Sequence, residues 1–274
     1  MFLRMAGATL VATAIVLGLA RWMQARTEAN GATPRPRRWA ALALGAGVLA
    51  GFVVFLGVPT LPFGEDSMRA TDRLFFGVAL AALLGLSSAR RSLSLAAVFL
   101  PAFVIAAHQD LAESAVSWAI FSVVGLLIME AGDRTIRTRT GPVGAVQIGI
   151  VLGVVPAAIA LSGSMAYGQL AGTAGLGFGL ITLVAWRNWD AGQIDGAFAM
   201  LMAGAFALMA MSYSELNPLH AGLLLGALPL SLLATAKLDR HKTLVGWVVL
   251  LAPIVIAFVL IGLAYEPDPY ADYM

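Results

Sequence analysis

The stretch LVGWVVLLAPIVIAFVLIGLAY, residues 244–265, contains 22 consecutive residues without a charged side chain. A helix needs about 20 predominantly apolar residues to cross the hydrocarbon core of a bilayer, so this stretch predicts a transmembrane helix. The whole chain has the same character, because 60% of its 274 residues are hydrophobic and only 12% are charged. Soluble domains carry about 25% charged residues. The composition therefore predicts an all-α, polytopic integral membrane protein rather than a soluble one.

Earlier apolar segments bring the total to about ten and predict a single transmembrane domain over residues 1–274. The predicted helices lie roughly at 3–21, 39–58, 74–89, 93–108, 113–130, 143–162, 167–186, 196–213, 219–236 and 244–265. The segments 74–89 and 93–108 are short for a span, so they form either two complete spans or one re-entrant hairpin. The sequence contains no cysteine, which excludes disulfides, thiolate metal sites and a cysteine nucleophile.

Basic residues fall almost entirely in alternate connections between these segments. Because positively charged loops stay in the cytoplasm, this sorting predicts that both chain ends lie outside (N-out, C-out) in a bacterial-type inner membrane. Topology and the attraction of basic loops to anionic lipid headgroups also account for the sequence pI of about 9.2. We therefore expect the lipid bilayer, and no nucleic acid, as a partner. The predicted cytoplasmic side holds 14 of the 17 Lys and Arg residues: Arg21, Arg26, Arg35, Arg37, Arg38, Arg90, Arg91, Arg134, Arg137, Arg139, Arg187, Lys237, Arg240 and Lys242.

The stretch SYSELNPLHAG, residues 212–222, is one of the few polar interruptions in the chain. Asn217 followed by Pro218 is a helix-start pattern, since Asn caps the first unpaired N–H groups and Pro has no N–H to be capped. The pattern predicts that a helix begins at Pro218, with Glu215 in the preceding turn and His220 in the first helical turn. The stretch is then either a turn between two helices or part of a binding site.

Polar side chains in a neighbouring outer turn support the binding-site interpretation. The turn between the fourth and fifth predicted helices holds three titratable residues, and if it meets the 212–222 turn, the two form an acidic outer vestibule. Carboxylates and imidazoles suit a cation or a proton, but no pair has a metal-ligand spacing, so we predict no metal site and no cofactor. Inside the membrane, Gln147 and Gln169 are the strongest polar candidates. The candidate substrate-binding residues are therefore His108, Asp110, Glu113, Gln147, Gln169, Glu215, Asn217 and His220.

Glycines recur at four-residue spacing on several predicted helices, a pattern that lets helix backbones approach closely. We interpret these faces as sites of close helix packing, either inside the chain or with membrane-protein partners or further copies of this chain. An alternative for the segment GLGFG, residues 175–179, is a loosened helix that exposes backbone carbonyls to a substrate. The pairs are Gly47/Gly51, Gly168/Gly172, Gly175/Gly179 and Gly222/Gly226.

Three classes of function are compatible with these features. We prefer a carrier or permease for a small or lipid-like solute, because compact ten-helix membrane proteins are commonly carriers and because prolines interrupt several predicted helices. A non-catalytic subunit or scaffold of a larger membrane complex is the first alternative, since few polar residues lie at membrane depth. An intramembrane enzyme is the second alternative, and it would pair Ser162 or Ser164 with His220 for nucleophilic attack.

Overall fold

The computed structural model describes residues 2–29, 36–59, 70–85, 90–105, 111–139, 142–186, 194–236 and 242–264. These residues form ten α-helices, as the apolar segments predict, and the chain is a helical membrane bundle. The helices are α1 (Phe2–Ala29), α2 (Pro36–Leu56), α3 (Ala70–Gly85), α4 (Arg90–Ile105), α5 (Leu111–Thr138), α6 (Val143–Leu161), α7 (Met165–Trp186), α8 (Gly196–Tyr213), α9 (Pro218–Thr235) and α10 (Lys242–Ala264).

Two of these helices, α3 and α4, are shorter than the others. Each has 16 residues, and at 1.5 Å per residue it extends only about 24 Å, less than the roughly 30 Å of hydrocarbon. Among the described residues, eight other helices are long and apolar enough to cross a membrane. Whether α3 and α4 form two spans or one re-entrant hairpin, they come as a pair, so they leave the predicted sides of the chain ends unchanged.

The predicted cytoplasmic ends of α1 and α5 are wrong by eight residues each, because we expected ends at residues 21 and 130 and the helices continue to Ala29 and Thr138. An apolar run marks where the chain leaves the hydrocarbon, and a helix does not have to stop there. In α5, two carboxylate–arginine pairs at i, i+4 spacing lie at and beyond residue 130. Such pairs stabilise a helix in water, which is why the apolar pattern underestimates the length of α5.

Helix α8 is the centre of the bundle. It packs against α2, α3, α4, α5, α6, α7 and α9. Of the residues in its apolar membrane-spanning stretch, 78% are buried, whereas the corresponding share for α1 is 17%. Its sequence GAFAMLMAGAFALMAMSY fits this position, since Gly and Ala admit neighbouring backbones at short distance and flexible Met side chains fill irregular gaps. Asp195 caps the helix by accepting a hydrogen bond from the Phe198 N–H at 2.9 Å.

Two of the glycines on α7 form the predicted close helix contacts. A Cβ added at Gly175 would lie 3.0 Å from the Leu152 carbonyl oxygen, and one at Gly168 would lie 2.8 Å from the Pro156 oxygen. The α7 helix therefore packs directly against the α6 backbone, and the close-packing prediction is confirmed at these positions. The loosened-helix alternative is wrong, because α7 is continuous over Met165–Trp186.

The Gly47/Gly51 face of α2 also makes close contacts, against threonines of α1 and α7. A Cβ at Gly51 would lie 2.8 Å from Thr9 Oγ1 and 2.6 Å from Thr173 Cγ2. One at Gly47 would collide with Thr13 Oγ1. Thr9 and Thr13 are fully buried, and their hydroxyls have no hydrogen-bond partner in the described ranges. Glycine Cα–H groups therefore lie against these two oxygens, an arrangement typical of weak Cα–H···O contacts.

The remaining glycines of the predicted pairs make no close contacts within the described residues, so the prediction of close packing inside the chain is wrong for them, whereas packing with partners or further copies stays a prediction. Four-residue spacing places two glycines on one face of a helix, but it does not determine whether a neighbouring helix covers that face. These positions have no described atom within 4 Å of an added Cβ: Gly172, Gly179, Gly222 and Gly226.

Candidate functional site

The 212–222 stretch forms the predicted turn and helix start. The Asn217 side chain accepts a hydrogen bond from the Leu219 N–H at 2.8 Å, and Pro218 is the first residue of α9. The helix-start prediction is therefore confirmed. Glu215 is exposed in the turn before the helix, whereas His220 is only 9% exposed. The imidazole thus packs within the bundle at the start of α9 and does not face water.

Several helix ends meet on the predicted outer side. The phenol of Tyr213, at the end of α8, interacts electrostatically with Arg73 of α3 and with Tyr167 of α7. A Cβ added at Gly163, in the α6–α7 turn, would lie 3.7 Å from Glu215 Oε2. The α6–α7 and α8–α9 turns are therefore neighbours. The sequence could not indicate that Tyr213 interacts with Arg73 and Tyr167, because these residues lie on other helices.

The other half of the predicted vestibule lies outside the described residues. This half consists of His108, Asp110 and the side chain of Glu113. The convergence of their turn with Glu215 and His220 stays a prediction, and so does the acidic vestibule. In the part of the chain that the structure describes, no group of three or more His, Asp or Glu side chains is arranged to hold a metal ion.

The two glutamines predicted as intramembrane binding residues have different environments. Gln147 in α6 is 1% exposed, and its Oε1 atom has no hydrogen-bond donor among the described residues. Gln169 in α7 is half-buried. Gln147 therefore has unused capacity to accept a hydrogen bond. Leaving a buried polar group unpaired in this way costs roughly 1–3 kcal/mol. Neither glutamine lines the groove described below, and their part in substrate binding stays a prediction.

The serines of the enzyme alternative bond to their own backbone. Ser162 Oγ donates to the Ala158 carbonyl oxygen at 2.8 Å. Ser164 Oγ accepts from the Tyr167 N–H at 3.4 Å. Ser162 thus ends α6, and Ser164 helps to start α7. These bonds give both hydroxyls a structural role in the α6–α7 turn.

A groove of about 710 Å³ runs along the bundle. Its walls are α5 and α9, with contributions from α4 and α8. On α9 the lining extends from Pro218 to Leu233, which at 1.5 Å per residue corresponds to about 22 Å. Buried residues of α8, including Leu201 and Leu208, form the floor. Leu127 and Leu233 at the rim are 61% and 74% exposed, so the groove opens sideways toward lipid.

Glycine and proline shape the α9 wall of this groove. Gly222 and Gly226 line it, and no described atom lies within 4 Å of a Cβ added at either position. Pro229 lies on the same wall, inside the helix, where it removes one backbone hydrogen bond. The glycine pair that the sequence suggested as a helix contact therefore leaves open space along the groove.

The lining is apolar except at one end. Among the described residues that line the groove, only Glu130 and Arg134 of α5 are charged, and they form an ion pair at 2.6 Å. They lie near the predicted cytoplasmic end of α5. A polar solute in the rest of the groove would lose its hydrogen bonds to water without replacement. The groove therefore suits an apolar chain or an amphiphile rather than an ion or a sugar.

Arg139 joins the two groove walls at their predicted cytoplasmic ends. It follows α5 directly and donates from Nη2 to Ser231 Oγ at 3.2 Å and to Thr235 Oγ1 at 3.0 Å, both on α9. Its guanidinium also lies against Gly246 of α10, where an added Cβ would be 3.1 Å from Nη2. Burial lowers the pKa of Arg139 from its ordinary value, although arginine stays charged in proteins. The sequence shows Arg139 only as one of many basic residues on the predicted cytoplasmic side.

The chain matches no protein-family model, no curated protein and no solved structure. Its class, a multi-pass helical membrane protein, rests on the helices themselves, eight of which are long and apolar enough to span a membrane within the described ranges.

Proposed function

We propose that this protein is a carrier of a bacterial-type inner membrane that moves a lipid-like solute along the groove between α5 and α9. The observation that carries the proposal is the groove itself, which encloses about 710 Å³, is apolar over most of its length and opens toward lipid. Sites for small molecules typically have volumes of about 300–1,000 Å³. A solute that enters from the bilayer needs no aqueous path, which agrees with the scarcity of polar residues at membrane depth.

The length of the groove supports movement between leaflets rather than binding within one. Each leaflet contributes about 15 Å, half of the roughly 30 Å hydrocarbon core, whereas the lining on α9 covers about 22 Å. The lining runs from Pro218 at the predicted outer end to Leu233 at the cytoplasmic end. It is therefore long enough to pass the midplane.

The location of a bound lipid tests this proposal. Purified protein in nanodiscs would be labelled with a phospholipid that carries a diazirine in its acyl chain, and the modified residues would be mapped by mass spectrometry. We expect Leu208 and Leu225, which line the groove and are otherwise buried, to be labelled.

Two glycine variants supply the matched control for the labelling experiment. Gly226→Leu should remove the labelling of the groove, because the new side chain occupies it. Gly179→Leu should preserve the labelling, since a Cβ at 179 also meets no described atom but the residue lies outside the groove lining. Labelling confined to the open surface of α1 in all variants would contradict the proposal.

A second candidate is a subunit of a larger membrane complex, and the Gly222/Gly226 pair on the groove wall favours it. A partner helix can approach closely at glycines with this spacing. However, a spanning helix about 10 Å wide and 30 Å long occupies about 2,400 Å³, so the groove would hold only one of its faces. Because the chain has no cysteine, a single Gly226→Cys substitution distinguishes the candidates. Cross-linking of that thiol to a second protein in native membranes favours the subunit, and reaction with lipid-borne maleimide alone favours the carrier.

A further inference from the structure

We propose that the groove binds an amphiphile whose anionic headgroup, a phosphate or a carboxylate, is held by Arg134 at the cytoplasmic end. This inference rests on the proposed function, since it concerns the same groove and names the chemistry of its solute. It depends on a comparison of two ion pairs on α5, on the hydrogen-bonding capacity of Arg134 and on its depth in the membrane.

Helix α5 carries two arginine–carboxylate pairs, and only one of them lines the groove. Arg134 pairs with Glu130, and Arg137 pairs with Asp133, both at i, i+4 spacing. The two arginine side chains are similarly exposed, at 67% and 58%. Glu130 and Arg134 belong to the groove lining, whereas the other pair does not. The two arginines therefore share spacing and exposure and differ in their position relative to the groove, which makes Arg137 a matched control for Arg134.

Arg134 keeps most of its capacity to donate hydrogen bonds. A guanidinium has five N–H donors, and the bond to Glu130 uses Nε. Within the described part of the chain, the Arg134 side chain makes no other hydrogen bond or ion pair. Arginine binds phosphate and carboxylate groups through two parallel N–H bonds. Both terminal amino groups of Arg134 are therefore available to an oxyanion at the mouth of the groove.

The depth of Arg134 matches that of a lipid headgroup. It lies one turn before the end of α5 at Thr138, on the side to which the sequence assigns 14 of the 17 basic residues. From Phe121 to Arg134 the α5 lining covers about 20 Å at 1.5 Å per residue. A chain that lies along this stretch has its headgroup beside Arg134 and its tail toward the outer end. The exposed guanidinium lets that headgroup remain partly hydrated.

Native mass spectrometry of the purified protein with palmitate, lysophosphatidic acid and hexadecanol tests the inference. The three probes each carry a long apolar chain and differ in the head, which is anionic in the first two and uncharged in the third. We expect Arg134→Gln to weaken binding of both anionic probes by about tenfold, the usual effect of losing a hydrogen bond to a charged group. Binding of hexadecanol should not change. Arg137→Gln should leave all three probes unaffected, and Gly226→Leu should weaken all three.

The possible results separate the headgroup site from the groove. If Arg134→Gln does not weaken the anionic probes but Gly226→Leu weakens all three, the headgroup site is wrong and the proposed function stands. If Gly226→Leu affects no probe, the groove is not the binding site and both proposals fail. Displacement of lysophosphatidic acid by inorganic phosphate alone would show an anion site whose binding does not depend on the acyl chain of the probe. That result would overturn the inference. If palmitate and lysophosphatidic acid both depend on Arg134, the inference is supported. The one that binds more tightly then identifies the headgroup as a carboxylate or a phosphate.

Discussion

Leucine substitutions at two glycines one helical turn apart on α7 should have different effects on stability. Gly175 and Gly179 follow the same four-residue pattern, but only Gly175 faces a neighbouring backbone. A Cβ at 175 would lie 3.0 Å from the Leu152 carbonyl oxygen, whereas no described atom lies within 4 Å of one at 179. The Leu152 oxygen belongs to the backbone of a packed helix and cannot rotate away. The α6 and α7 helices must therefore separate to admit a leucine at 175.

The size of the difference follows from this contact. We expect Gly175→Leu to lower the free energy of unfolding by about 1–3 kcal/mol, the usual cost of overpacking. Gly179→Leu avoids that cost. Leucine also favours the helical conformation over glycine by about 1 kcal/mol in soluble helices, so this variant should be neutral or slightly stabilising. In a chain of this size, a change of about 1 kcal/mol shifts Tm by roughly 2–4 °C. Gly175→Leu should therefore unfold about 2–12 °C below Gly179→Leu.

Thermal unfolding of both variants in one detergent measures this difference. Gly175→Ala provides an internal scale, because its single methyl group meets the Leu152 oxygen without the bulk of a leucine. A Tm of Gly175→Leu no lower than that of the wild type would refute the close packing of α6 against α7 at this position. A loss of Tm at 179 as large as that at 175 would show that another helix covers the second face of α7.

Three further predictions concern the ends and connections of the helices. Arg139→Ala removes hydrogen bonds to α9 and should lower the free energy of unfolding by about 1.5–3 kcal/mol. The control Arg137→Ala loses an exposed ion pair, for which a loss of about 0.2–1 kcal/mol is typical. Equal Tm losses for the two variants would contradict the joining role of Arg139. Asn217→Ala should cost about 0.5–2 kcal/mol of unfolding free energy, and Asn217→Asp should restore most of it, so a neutral alanine variant would show that this cap contributes nothing. Reporter fusions after Arg139 should report the cytoplasm and fusions at Met274 the outside, and a cytoplasmic Met274 would overturn the orientation predicted from basic residues.

Features that depend on local sequence could be predicted. A spanning helix needs a long apolar run, and this property is visible without knowledge of the fold, so the ten helices follow from the segments. The start of α9 is equally local, because Asn217 caps its own helix and Pro218 occupies the first position. The ends of α1 and α5 could not be located in this way, since helix propensity and ion pairs, rather than hydrophobicity, decide where a helix stops in water.

Features that depend on the neighbours of a helix could not be predicted. Gly47/Gly51 and Gly222/Gly226 have the same spacing, yet the first pair packs against threonines and the second lines an open groove. Spacing places residues on a face, but the fold determines what covers that face. Arg139 shows the same limit, because its charge predicts its side of the membrane while its contacts with α9 and α10 depend on how distant segments pack.

The most direct measurement of the central claim is the rate at which the purified protein moves a fluorescent phospholipid between the leaflets of a liposome. Wild-type protein and Gly179→Leu should both accelerate this movement above the rate in protein-free liposomes. Gly226→Leu should reduce it to the protein-free rate without lowering Tm, since a Cβ at 226 meets no described atom and its side chain fills the groove. Movement at the protein-free rate by wild type, or equal rates for Gly226→Leu and Gly179→Leu, would show that the groove between α5 and α9 is not a path for lipid.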